Sequence, residues 1–170
     1  MKTYLLRGFV GLALILLIPV HGNAVDMPSI PDVGQTVTGT VVPAPTAGVT
    51  VVSPKGEWST FASMEGDAEP IFLITGRVKN TSAKPFTYIK LQFELLDEDG
   101  VVLLRDYGYN RKAETLREET YESGKTSLKD MAIEGLPAGA EDGFRFLFFK
   151  SDIPQFQSYR IRVLEGHPAG

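Results

Sequence analysis

The stretch Ile71–Lys79 (IFLITGRVK), broken by Asn80-Thr81-Ser82 and Pro85 and followed by Tyr88–Leu96 (YIKLQFELL), decides the fold class of this chain. In the first segment Phe72, Ile74, Gly76 and Val78 fall on one side, and Thr75, Arg77 and Lys79 on the other. In the second, Ile89, Leu91, Phe93 and Leu95 alternate with Tyr88, Lys90, Gln92 and Glu94. A period of two belongs to half-buried β-strands, whose successive side chains point to opposite faces. Asp97-Glu98-Asp99-Gly100 then supplies a turn, and Val101–Arg105 returns as the hairpin partner. Later, Gly143–Phe149 (GFRFLFF) groups Phe144, Phe146 and Phe148, and Tyr159–Val163 (YRIRV) turns Arg160 and Arg162 outward. Such strands, spaced by turns and without βαβ alternation, predict an all-β domain over residues 57–165, an antiparallel β-sandwich.

Between these strands Tyr107–Pro137 is the least regular part. One short helix is expected at Thr126–Ile133, where Ser127 can cap and Leu128 and Met131 lie three apart. Arg111–Glu122, with three bases and four acids, reads as a solvated charged stretch. No internal repeat is visible.

Upstream, the character of the chain changes twice. Residues 25–56 carry Pro28, Pro31, Pro43, Pro45 and Pro54 among scattered threonines and read as a Pro/Thr-rich tether, extended because proline lacks a backbone donor. Within it the β-branched Gly48–Ser53 (GVTVVS) has the composition of a first strand. Residues 1–24 have the parts of a secretory signal: Lys2 and Arg7, an apolar run Gly8–Val20, then small Gly22 and Ala24 at the −3 and −1 places. The apolar run of 13 residues falls short of the roughly 20 that a membrane span needs. Cleavage after Ala24 is expected, with membrane contact only if the segment stays uncleaved. The last residues, 166–170, read as a tail.

Composition narrows the function classes. Of 170 residues, 17 are Lys or Arg and 21 Asp or Glu; both bases of the signal leave with it, so the mature chain is more acidic than the net −4 of the whole. Such a balance lacks the clustered cations that nucleic acid requires. Without cysteine there is no disulfide, no thiolate metal site and no cysteine nucleophile. The two histidines are His21, in the signal, and His167, near the end, which argues against a histidine metal cluster and a Ser-His-acid triad. No cofactor and no enzymatic activity are expected.

The segments Ile74-Thr75-Gly76-Arg77-Val78-Lys79-Asn80-Thr81-Ser82 and Phe93-Glu94-Leu95-Leu96-Asp97, with Gly100 behind them, resemble the FxLYD-type domain and related bacterial extracytoplasmic domains of unknown function. Leu96 stands where that pattern has tyrosine, and the zinc ribbon that often precedes such domains has no cysteine here. The resemblance implies an exported, non-enzymatic immunoglobulin- or fibronectin-like sandwich. Its motif residues Gly76, Val78, Asn80, Phe93, Leu95, Asp97 and Gly100 also have physical readings of their own. Gly76 fits a bulge or a close approach by another backbone. Asn80 can cap a turn, Phe93 and Leu95 fill the core, and Asp97 with Gly100 makes a turn.

Two constellations carry functional expectations. Arg105, Tyr107, Tyr109, Arg111 and Tyr121 combine the residue types that anchor protein interfaces, and form the candidate interaction patch. Asp97, Glu98 and Asp99 are consecutive carboxylates, but calcium needs six to eight converging oxygens and the apolar Val101–Leu104 follows. The expected function is therefore protein binding in the bacterial cell envelope, periplasmic or secreted, with an unnamed envelope protein as partner. The alternative is an extracytoplasmic domain for a small ligand or calcium.

Overall fold

A computed structural model describes residues 32–42, 48–62, 68–123 and 135–169; the side chains of 118–123 are outside the description. The strands are β1 (Thr36–Val42), β2 (Val49–Ala62), β3 (Ala68–Asn80), β4 (Phe86–Leu96), β5 (Val102–Tyr109), β6 (Glu141–Phe149) and β7 (Ser158–Pro168). One helix, α1 (Arg111–Ser123), lies between β5 and β6, and a 3-10 turn at Lys150–Asp152 follows β6. The strands form one seven-stranded sheet in the order β5-β4-β7-β1-β2-β3-β6, nearly closed into a barrel.

The alternation read from the sequence is the alternation of the core. Phe72, Ile74 and Val78 of β3, Ile89, Leu91, Phe93 and Leu95 of β4, and Phe144 and Phe148 of β6 are buried in one cluster, with Tyr159, Ile161 and Val163 of β7. Phe93 stacks on Phe146 at 4.4 Å between ring centroids, which joins β4, next to one end of the sheet, to β6 at the other. The 97–100 turn forms as expected. Asp97 Oδ1 accepts the N–H groups of Asp99 (3.0 Å) and Val101 (2.8 Å), and Gly100 takes the positive φ of +78°.

The architecture departs from two separate antiparallel sheets because β1 changes partner. Thr36 and Val37 pair antiparallel with β2, whereas Thr38–Val42 run parallel to β7. One strand thereby links what would otherwise be two sheets. Two stretches read as tether, Thr36–Val42 and Val49–Gly56, are therefore strands of the sheet. Pro54 is tolerated there because the register of β2 against β3 shifts between Val52 and Lys55, at Ser53 with φ of 49°. A bulge is one of the few places where a strand can hold a proline. The expected tail at 166–170 is likewise strand as far as Pro168. The signal segment and the helix expected at Thr126–Ile133 lie outside the described residues.

A further difference is α1. The stretch Arg111–Glu122, read as solvated and irregular, is helical because its start is capped from outside. Asp142 Oδ2 accepts the Lys112 N–H at 2.9 Å and the Asn110 side-chain amide at 2.7 Å, and the Asn110 carbonyl accepts the Glu114 N–H. Ala113 is buried against Tyr88, with Leu116 and Tyr109 packed beside it. One apolar edge on a charged segment is enough to dock it.

The motif residues hold the fold together. Gly76 pairs with Phe144, and a Cβ there would lie 2.5 Å from the Phe144 ring and 3.2 Å from the Pro54 Cα. Asn80 is fully buried. Its amide donates to the carbonyls of Lys84 (2.7 Å) and Leu136 (2.9 Å), and its Oδ1 accepts from the Ser82 N–H and hydroxyl. Its own backbone N–H and carbonyl bind Ala140 and Gly139. Asn80→Ala would remove the amide bonds to the Lys84 and Leu136 carbonyls and leave the Ser82 N–H without its acceptor, and should cost about 2–4 kcal/mol in urea unfolding. A loss below about 1 kcal/mol would mean that the turn and the 136–140 segment are held by something else.

Candidate functional site

The outward face of β5, β4 and β7 is built around an unusual residue. Glu94 points away from the apolar interior, yet is only 1 % exposed. It sits on the middle strand of the three, directly opposite Arg105 on β5 and Arg160 on β7. Oε1 accepts Arg105 Nε and Nη2, both at 3.0 Å, and the Gln92 amide at 2.5 Å. Oε2 accepts Arg160 Nε at 2.6 Å and Arg162 Nε at 3.2 Å. Burial by itself raises the Glu94 carboxyl, but the hydrogen bonds from Arg160, Arg162 and Arg105 outweigh it and hold the group below the usual carboxylate range. Val102 and Leu164 complete a shallow recess of about 410 Å³ around this cluster.

Further along the same face Lys90 Nζ lies 5.2 Å from the centre of the Tyr107 ring. Tyr88 donates its hydroxyl to Glu165 Oε1 at 3.0 Å and stacks on His167, whose Nδ1 is 3.4 Å from that same oxygen. Burial and the bond to Glu165 push the Tyr88 hydroxyl up to about 12.

A second feature lies where the sheet fails to close. β5 and β6 are the two ends of the strand order. They approach closely enough that a Cβ on Gly108 would lie 3.0 Å from Phe146, but among the described residues no ladder joins them. At this seam a groove of about 560 Å³ runs beneath α1, with Tyr109, Arg111 and Glu114 on one side and Gly76, Phe144 and Arg145 on the other.

The residues of the expected interaction patch are thus distributed. Arg105 belongs to the Glu94 cluster, Tyr107 to the Lys90 contact, and Tyr109 and Arg111 to the seam groove. Tyr121 lies in α1, and its side chain is outside the description. The motif residues Gly76, Val78, Phe93 and Leu95 line or pack the interior; Asn80 and Asp97 spend their side chains on backbone partners. Among the described residues no group of three or more His, Cys, Asp or Glu side chains gathers as metal ligands. Sequence reading missed the arginine cluster. Its signal was present in the outward alternation of Glu94, Arg160 and Arg162, but their meeting depends on the register between distant strands.

The family model that matches is Protein of unknown function (DUF3426), over residues 53–163. This chain belongs to the DUF3426 family. The match runs from the β2 bulge to the middle of β7, so it takes in Glu94, its three arginines and both seam strands, while β1 lies outside it. No curated protein and no solved structure matches the chain. Membership in DUF3426 brings no assigned activity, and whatever this chain does must be argued from its two surface features.

The depressed Glu94 carboxyl has a consequence for stability. Its contribution is complete above the unfolded value of 4.5 and is lost as pH falls through the lower folded value. Glu94→Gln should lower the melting midpoint at neutral pH and flatten its fall in acid. Parallel midpoint curves for the two proteins below pH 4.5 would show that Glu94 carries no pH-linked stability.

Proposed function

We propose that this chain is an exported, non-enzymatic β-module of the bacterial cell envelope that binds a partner protein. The observation that carries this reading is the open seam: two edge strands side by side that no ladder joins among the described residues, with a groove beside them. Edge strands accept an extended partner segment through main-chain hydrogen bonds, with pockets for alternate side chains giving selectivity. The groove offers Arg111, Arg145 and Glu114 for polar contacts and Tyr109 and Phe144 for apolar ones.

Export draws support from the three-part N-terminal segment, with the body delivered to the periplasm or beyond. Among the described residues no helix is long and apolar enough to cross a membrane. Kinship with FxLYD-type domains, and an immunoglobulin-like relation between the two halves of the sheet, belong to the same proposal. They rest on the Gly76–Ser82 and Phe93–Asp97 motifs.

Photo-cross-linking residues placed at Asp106 on β5 and Arg145 on β6 test the reading in intact cells. A partner captured from these positions, and lost with Asp106→Pro or Arg145→Pro in proteins that still melt cooperatively, is the expected result. Capture unchanged across both proline variants would refute binding at the seam.

A further inference from the structure

The Glu94 cluster carries more positive charge than Glu94 needs. Three guanidinium groups converge on one carboxylate, each with an Nε within 3.2 Å of it, so the cluster has a surplus of two positive charges. It does so in a chain whose net charge is −4. The neighbouring positions do not cancel this surplus. On β1, Thr40 and Val42 stand opposite Arg160 and Arg162, and on β5 the next residue on the face is Tyr107. The next carboxylate along the face, Glu165, is engaged by the Tyr88 hydroxyl at 3.0 Å and faces His167 Nδ1 at 3.4 Å. Arg160 and Arg162 meet Glu94 through Nε, which leaves their Nη donors uncommitted to the carboxylate. A guanidinium has five N–H donors in a planar fork suited to oxyanions, so the recess presents many donors in a small space.

We infer that this recess is a binding site for a compact dianion, a phosphoryl group of the monoester type. The charge of such a group, about −1.5 to −2 at neutral pH, matches the surplus, and its several acceptor oxygens match the remaining donors. Two separate carboxylates fit less well, because the three guanidinium groups are gathered around a single carboxylate and not spread along the face. Glu94 is a positioning residue: it aligns Arg105, Arg160 and Arg162 and offsets part of their mutual repulsion before the ligand arrives. The site is on the outward face of β4 and does not depend on the seam. A partner at the seam and a phosphoryl group in the recess can therefore fail separately.

The test is the melting midpoint of the purified full chain at constant ionic strength, with phosphate, sulfate or phenyl phosphate replacing chloride. The dianions are expected to raise the midpoint by about 4 °C at ten times their Kd, and nitrate to leave it unchanged. Arg105→Gln, at the most exposed of the three arginines, and Arg162→Lys, which keeps the charge but loses the fork, should weaken phosphate binding about tenfold while still folding. Co-sedimentation with phosphatidylcholine vesicles carrying phosphatidate separates the sources of the group. Pelleting that Arg162→Lys abolishes assigns a lipid headgroup, whereas phenyl phosphate binding without pelleting assigns a soluble ester. Equal midpoints in dianions and monoanions, or an undiminished phosphate response in both arginine variants, would overturn the proposal.

Discussion

A carboxylate shut away from water is tolerated only where charged donors replace its hydration, and Glu94 imposes that condition on three strands at once. Its direct cross-strand neighbours are Arg105 on β5 and Arg160 on β7. A slip of one residue in either ladder would turn an arginine to the opposite face and leave the buried charge short of a partner. Hydrophobic alternation alone would accept slips of two residues, since these keep the apolar face inward. The ion cluster does not accept them on β5, where Leu103 or Tyr107 would replace Arg105 opposite Glu94. Glu94 thus acts as a register pin on the outer face, while the same strand packs Phe93 and Leu95 inward.

The other organising event is the change of partner along β1. By pairing first with β2 and then with β7, it makes one sheet of all seven strands and curls that sheet until β5 and β6 meet. Free edges invite association, and proteins usually cover or shorten them. Here the edges are placed side by side, and α1 is fastened near one end by Asp142, at the start of β6, and by Ala113 against Tyr88. What is left is a groove with main-chain edges beside it, which is the geometry on which the partner-binding reading rests.

The most recognisable residues of the chain are those whose atoms the fold consumes. Gly76 yields its side-chain space to Phe144, Asn80 commits both amide atoms to backbone and turn partners, and Asp97 closes a hairpin. The motif therefore marks a fold and not a chemistry. The DUF3426 match covers most of the same sheet, from the β2 bulge into β7. Features with surplus capacity, the arginine recess and the seam, lie on outward faces or edges where no such structural demand exhausts the side chains.

The sequence by itself determined which segments are strands in the body, which side of each is buried, and where the β4–β5 hairpin turns. These depend on neighbours within a few residues, so periodicity and turn chemistry carry them. It misdirected the reading at two places for local reasons: proline density hid β1, although Gly48–Ser53 at the start of β2 already had a strand's composition, and charge density hid α1, although Asn110, Ala113 and Leu116 carried a helical signal. Tertiary structure alone decided the rest. Glu94 and Arg160 are 66 residues apart, and nothing in either strand's alternation states how far one slides along the other. Register, the partner change of β1 and the near-closure of the sheet come from packing all seven strands at once, and they gather the three arginines around one buried carboxylate.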